Sequence, residues 1–292
     1  MDSLISVNYV RDWTVENAVR ELLQNAIDAA PFEVGTGWIH SSKQLELDAL
    51  LMGESTKTAD QLGKFGEGLK LAMLVLIRNG YTVQISSGHH VITPVLQESF
   101  NGKTTMQYRI DHADEYHEGC TILTDLDADW YQYLLPEPAH VRHLDEPKLY
   151  IGGLFICDLK GFKFGYNLAP NTVPLGRDRN VVSEFDLAWE TSNYWAKNQH
   201  NNYTMLAKLL LSPDYKDLTY LHNHKLHEQT ASAFRSALYT TQNLPYGARM
   251  VAEKLSITKS KEYKLWAAWF ELNKKHMRRR ARVAFLAQLE KL

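Results

Sequence analysis

The sequence predicts an α+β protein: helices on one face of a mixed, mainly antiparallel sheet, then a smaller α/β module, then a helical carboxy-terminal region. Three observations lead there. Helical periodicity fills residues 14–30 and the run that follows "GKFGEG". Strand-like runs then succeed one another over residues 81–127 with only short turns between them, the texture of an antiparallel sheet. After about residue 185 the pattern returns to helix. The corresponding division is 1–145, 146–200 and 201–292.

Composition sets the outer bounds. The 292 residues suffice for one large domain or two ordinary ones, and 45% apolar with 23% charged residues is ordinary for a globular core. A formal charge of −2 gives no global drive toward nucleic acid or membrane. Cys120 and Cys157 lie in apolar runs and read as buried thiols, not as a disulfide framework. The first residues lack the basic and apolar regions of a signal peptide, and no apolar run approaches membrane-spanning length, so a cytoplasmic protein is expected.

In chain order, the first helix takes Thr14 as its cap and ends at Pro31, with Val15, Val19, Leu22, Leu23, Ala26 and Ile27 on one face. The second, "LKLAMLVLIRNG", is apolar nearly all round, so deeply buried, and stops at Asn79-Gly80. "YTVQISSG", "HHVITPVL", "TTMQYRIDHA" and "GCTILTDLD" read as strands, with Asn101-Gly102 as a hairpin turn. Residues 131–148 carry three prolines and read as a connection; "KLYIGGLFICDLKGFKFGYNL" is a second strand group. "TMLAKLLL", "TASAFRSALYTT" and the segment from Glu262 to Leu292 are helical.

Two stretches carry chemistry. Glu21, Asn25 and Asp28 are spaced by four and three, so they share a narrow helix sector opposite the apolar stripe, and Gln24 is expected to point away from them. Such a polar face is also the ordinary solvated side of a helix. "GKFGEGLK" places Gly63, Gly66 and Gly68 directly before a helix, where backbone amides approach a phosphate closely. The same glycines also read as a flexible turn. They form no Walker A loop and no Rossmann unit.

Together and in this order, the two stretches resemble a family. "ELLQNAIDA" resembles the first motif of the GHKL, or Bergerat-fold, ATPases: gyrase B, the ninety-kilodalton heat-shock chaperones, sensor histidine kinases, MutL and MORC. "LLMGESTKTADQLGKFGEGLKLAMLV" resembles their lid and glycine-rich motif, closest to the chaperone and MORC branch, and "EGCTILTDLD" resembles the later strand whose Thr reaches the phosphates. The likeness covers about residues 10–127. It implies a Bergerat-type two-layer sandwich over 1–145 that binds ATP with Mg²⁺. By this resemblance Glu21 is the general base that activates water, Asn25 places its amide oxygen on Mg²⁺, and Asp28 supports them near the helix end. Lys57, Gly63, Lys64, Phe65, Gly66, Glu67, Gly68, Leu69 and Lys70 contribute to the nucleotide site, and Thr121 reaches the phosphates.

The family's Asp-x-Gly-x-Gly motif, whose Asp hydrogen-bonds the adenine amino group, has its nearest match in "EVGTG": Glu33, Gly35 and Gly37. Glu replaces Asp, and the match follows the first helix almost at once. These residues also read as a plain turn. "YNLAPNTVPLGRDRNVVS" resembles the chaperone middle-domain segment in which a basic residue enters the ATP site, so 146–200 is a transducer-like module with Arg177 and Arg179 as candidates. A solvated loop is the alternative for both arginines.

Two smaller features remain. His222, His224 and His227 lie close together, but no cysteine or carboxylate pattern completes a tetrahedral zinc site. Arg278, Arg279, Arg280 and Arg282 precede an amphipathic end that could meet nucleic acid or an acidic partner, or form a solvated helix face. The expected function is Mg²⁺-dependent ATP hydrolysis driving a conformational cycle with a protein partner or a second copy of the chain. The alternative is an ATP-gated interaction module with negligible hydrolysis. Phosphotransfer to histidine lacks a phosphoacceptor helix of the sensor-kinase type.

Overall fold

The structure, a computed structural model, describes residues 5–50, 67–98, 102–135, 142–176, 183–200, 202–212, 214–238, 244–255, 274–276 and 279–289. It is mixed α+β, with antiparallel strand pairing and helices, in two compact units. The first comprises Met1–Leu144, Lys148–Asp158 and Tyr166–Val182; the second Asp145–Pro147, Leu159–Gly165 and Ser183–Leu292. The stretch 146–200 thus contributes strands to the first unit and a helix to the second.

The first unit holds a five-stranded sheet: β1 (Ile5–Ser6), β2 (Phe32–Gly35), β3 (Trp38–Ser41), β4 (Val83–Glu98) and β5 (Thr104–Thr124). β5 is its spine. β4 pairs along one edge of β5, while β1 and β3 share the other edge near its two ends, with Ile5 opposite Met106 and Ile39 opposite Ile122. The sequence suggested four strands over 81–127, but the chain makes two long ones. The "SSG" punctuation is a bulge: pairing slips between Ser87 and His90, where Gly88 has φ +58°. Gly119 (φ +68°) passes so close to the Ser41 carbonyl that a Cβ there would collide with it.

Helix α1 (Val15–Asp28) starts at a capping box: Asn17 N–H donates to Thr14 Oγ1, and Thr14 N–H donates to Asn17 Oδ1. It closes at Ala29, just short of Pro31. Helix α2 (Gly68–Arg78) is buried from Lys70 to Leu76, as its all-round apolar sequence demands. Both helices join Ile39, Ile85 and Ile122 of the sheet in one apolar cluster. A second sheet in this unit contains β6 (Arg142–Leu144), β7 (Lys148–Ile151), β8 (Leu154–Asp158) and β9 (Gly165–Leu168) in the order β6-β9-β7-β8. β7 and β8 form a hairpin on Gly152-Gly153, both at positive φ, and β9 lies parallel to β7. β6 and a 3₁₀ turn over Trp130–Tyr133 occupy the stretch that reads as a plain connection.

The second unit is helical: α3 (Glu184–Lys197), α4 (Tyr203–Leu211), α5 (Glu228–Leu238), α6 (Tyr246–Lys254) and α7 (Arg279–Leu289). Trp195, Leu206, Leu210, Phe234, Leu238 and Val251 make its core. His222 meets the Tyr246 ring and His227 stacks on Tyr203, and among the described residues no group of three His, Cys, Asp or Glu can hold a metal ion. Arg279, Arg280 and Arg282 lie on α7; Arg278 is outside the described residues. No described helix is long and apolar enough to cross a membrane.

Candidate functional site

The rotation of α1 is fixed by Val19, Leu22, Leu23 and Ala26, all buried in the core. That rotation leaves Glu21, Asn25 and Asp28 on one sector, though not a solvated one. Glu21 is only 2% exposed, and Asn25 and Asp28 are half-buried. Carboxylates are almost never placed so deep without a specific environment. Asn25 Nδ2 donates to the Glu21 backbone carbonyl at 2.6 Å. The bond sets the amide plane and turns Oδ1, a hard oxygen donor, away from that carbonyl.

Helix α2 begins against this sector. A Cβ built on Gly68 would overlap Glu21 Oε2 and stand 3.7 Å from Asn25 Nδ2. The Glu21 carboxylate therefore lies at the amino-terminal end of α2, where the helix dipole is positive. Glu67 occupies the cap position and Leu69 packs on the core. Lys70 is fully buried, and its ammonium donates to the Ala49 carbonyl at 3.0 Å, tying the first turn of α2 to the 3₁₀ turn Leu47–Leu50. Lys57, Gly63, Lys64, Phe65, Gly66, Arg177 and Arg179 lie outside the described residues.

Other expected site residues stand elsewhere. Glu33 is exposed on β2, its backbone paired with His40. Gly35 pairs with Trp38 across the two-residue loop Thr36-Gly37. Gly37 has φ +71°, and a Cβ on Gly35 would enter the Trp38 indole, so a hairpin alone accounts for both glycines. Thr121 faces away from α1 and α2. Its neighbours Cys120 and Ile122 are buried in the helix-facing core, and strand alternation sends Thr121 to the other face. There its Oγ1 is 2.9 Å from His40 Nδ1.

One residue of α1 departs from the sequence reading, and a second, Arg20, was not singled out by it. Gln24 does not point into solvent away from the triplet: it is 1% exposed, its Nε2 is buried without a partner, and it stands one turn from Asp28. Its offset from Glu21 is only 60°, which the helical wheel itself contains. Arg20 is also buried and donates from Nη1 to the Ile156 carbonyl on β8 at 2.7 Å. A contact between residues 136 apart has no signal in local spacing.

No protein-family model matches the chain. A Mycoplasma pneumoniae protein described as an uncharacterized protein is 32% identical over 133 residues, which is 38% of this chain and 54% of that protein. The chain thus spans about half the length of the curated relative it matches.

Proposed function

We propose that this chain is a Bergerat-type, GHKL-like ATPase that binds and slowly hydrolyses Mg²⁺-ATP where α1 meets the start of α2, and that the cycle is read by a protein partner or a second copy. The observation that carries the reading is the seating of Gly68 against Glu21 and Asn25, which joins two motifs far apart in the sequence. Asn25 Oδ1 would hold Mg²⁺, because a hard cation takes oxygen donors and the Asn25 amide nitrogen is already committed to the helix. When bound, Mg²⁺ neutralises charge on the phosphates. The Glu21 carboxylate takes a proton from the attacking water, and its burial keeps competing solvent away. The absent side chain at Gly68 lets the Glu21 carboxylate lie against the start of α2, whose amides favour an anion.

In this reading residues 1–145 bind the nucleotide, 146–200 respond to it and 201–292 carry the output, in the cytoplasm. Glu33, Gly35, Gly37 and Thr121 take no part, so adenine is recognised by other groups. One observation favours a second reading, an ATP-gated module with negligible hydrolysis: Glu21 already has an electrostatic role at the positive end of α2.

Titration calorimetry with ATP, ADP and GTP, with and without Mg²⁺, tests the site together with phosphate release. Asn25→Ala is expected to weaken Mg²⁺-ATP binding. Glu21→Ala is expected to retain ATP while turnover falls by about 10²–10⁴-fold, the usual worth of a positioned base. Parent protein that binds ATP without releasing phosphate selects the gated module. Unchanged Mg²⁺-ATP affinity in Asn25→Ala overturns the site.

A further inference from the structure

Arg20 immediately precedes Glu21, yet it serves a different part of the fold. Its side chain is 7% exposed and reaches the second sheet, where Nη1 donates to the Ile156 carbonyl of β8. Its Nε is buried with no acceptor. The guanidinium also acts on two neighbouring groups. Burial raises the Tyr133 phenol and the Cys157 thiol, Glu16 raises the first and Asp158 the second, and Arg20 opposes both shifts. A buried cation with one donor unmatched is a costly way to pack a helix on a strand, since an apolar residue of similar volume would do so without the desolvation. Its distinctive property is a directional bond between a β8 carbonyl and the residue beside the proposed base.

We propose that Arg20 is a positioning residue through which the second sheet sets the placement of Glu21 and so regulates turnover. The inference rests on the ATPase reading above. Arg20 and Glu21 are consecutive on one capped helix and move together. A pull on the Ile156 carbonyl therefore displaces the carboxylate, and a misplacement of about 1 Å at a reacting group costs on the order of 10²-fold in rate.

The test uses the full chain with Arg20→Met, which keeps the volume, and Arg20→Lys, which keeps a charge and one donor. Arg20→Met should bind Mg²⁺-ATP within about threefold of the parent while phosphate release slows by at least about tenfold. Arg20→Lys should recover part of that loss. In the parent, Mg²⁺-ATP should change amide exchange over residues 154–158, and Arg20→Met should abolish the response. Parent-like turnover in folded Arg20→Met overturns the inference, as does an equal loss of affinity and turnover, which marks a merely structural role. So does a parent that hydrolyses ATP without any response at 154–158, a result that needs no variant to fold. A parent that does not bind ATP instead removes the ATPase reading, and this inference with it.

Discussion

At Gly68 the effect of a single methyl group can be signed in advance. Near the start of an ordinary helix, alanine improves on glycine by up to about 1 kcal/mol. Here the new Cβ would overlap Glu21 Oε2, so Gly68→Ala should instead cost about 1–3 kcal/mol by overpacking and weaken Mg²⁺-ATP binding. Urea denaturation and calorimetry read both effects; a stabilised variant that binds ATP normally would separate Gly68 from Glu21. Burial also decides the thiols. Cys120 is pushed up to about 12 by desolvation, and Cys157 is raised as well, so neither presents much thiolate at pH 8. Cys157, expected from the sequence to be buried, is only half-buried. Ellman's reagent should therefore reach Cys120 only on unfolding while Cys157 reacts slowly in the native chain, and a fast native reaction of Cys120 would contradict its burial. Between pH 9, where the unfolded Cys120 thiol ionises, and pH 12, the native chain holds the extra proton, so this group lowers stability as pH rises through that window. Glu21 and Asn25 were legible in the sequence because a four-residue spacing fixes a helix face. Glu33 and Thr121 were not, because the face a strand residue takes depends on register, which a motif match does not contain.

Among the elements, the two helices were legible nearly to the residue, since capping and apolar periodicity are local properties. The sheet was legible as a series of strands but not in its lengths. "SSG" is a strand end to a reader of turn residues, while in the fold β5 continues opposite it and converts the break into a bulge. Arg78 shows the same limit. It reads as a basic residue at a helix end, a favourable place by dipole alone. In the structure its guanidinium donates to the carbonyls of Val7, Tyr9, Val10 and Trp13 at 3.1–3.3 Å, holding the segment between β1 and α1. Arg78→Gln should therefore destabilise by about 1.5–3 kcal/mol, the worth of a charge-assisted bond, with added amide exchange concentrated at residues 7–13. Exchange that rises evenly along the chain, or not at all, would reduce Arg78 to an ordinary helix-end cation.

At the scale of the molecule, each compact unit has a hydrophobic cluster of its own. The helical texture beyond residue 185 foretold the second cluster, but not the segment from residue 159 to 165 that joins it, because its apolar residues Leu159, Phe162 and Phe164 read as a continuation of the second strand group. Asp217 makes the connection. Fully buried, its carboxylate accepts from the backbone amides of Lys163 at 2.7 Å and Phe164 at 3.3 Å. Its own carbonyl accepts from Thr191 Oγ1 and Ser192 Oγ of α3, each at 3.2 Å. Asp217→Ala keeps the carbonyl bonds and strands the two amides, and each unsatisfied buried donor costs about 1–3 kcal/mol. The loss should be confined to the second unit. Amide exchange in α3, α4 and α5 should accelerate while α2, whose packing lies wholly in the first cluster, keeps its protection and the proposed Mg²⁺-ATP site is unaffected. Equal acceleration in α2 and α4 would mean that the two clusters unfold as one, and the proposed output region would then have no stability of its own for the proposed nucleotide cycle to act on.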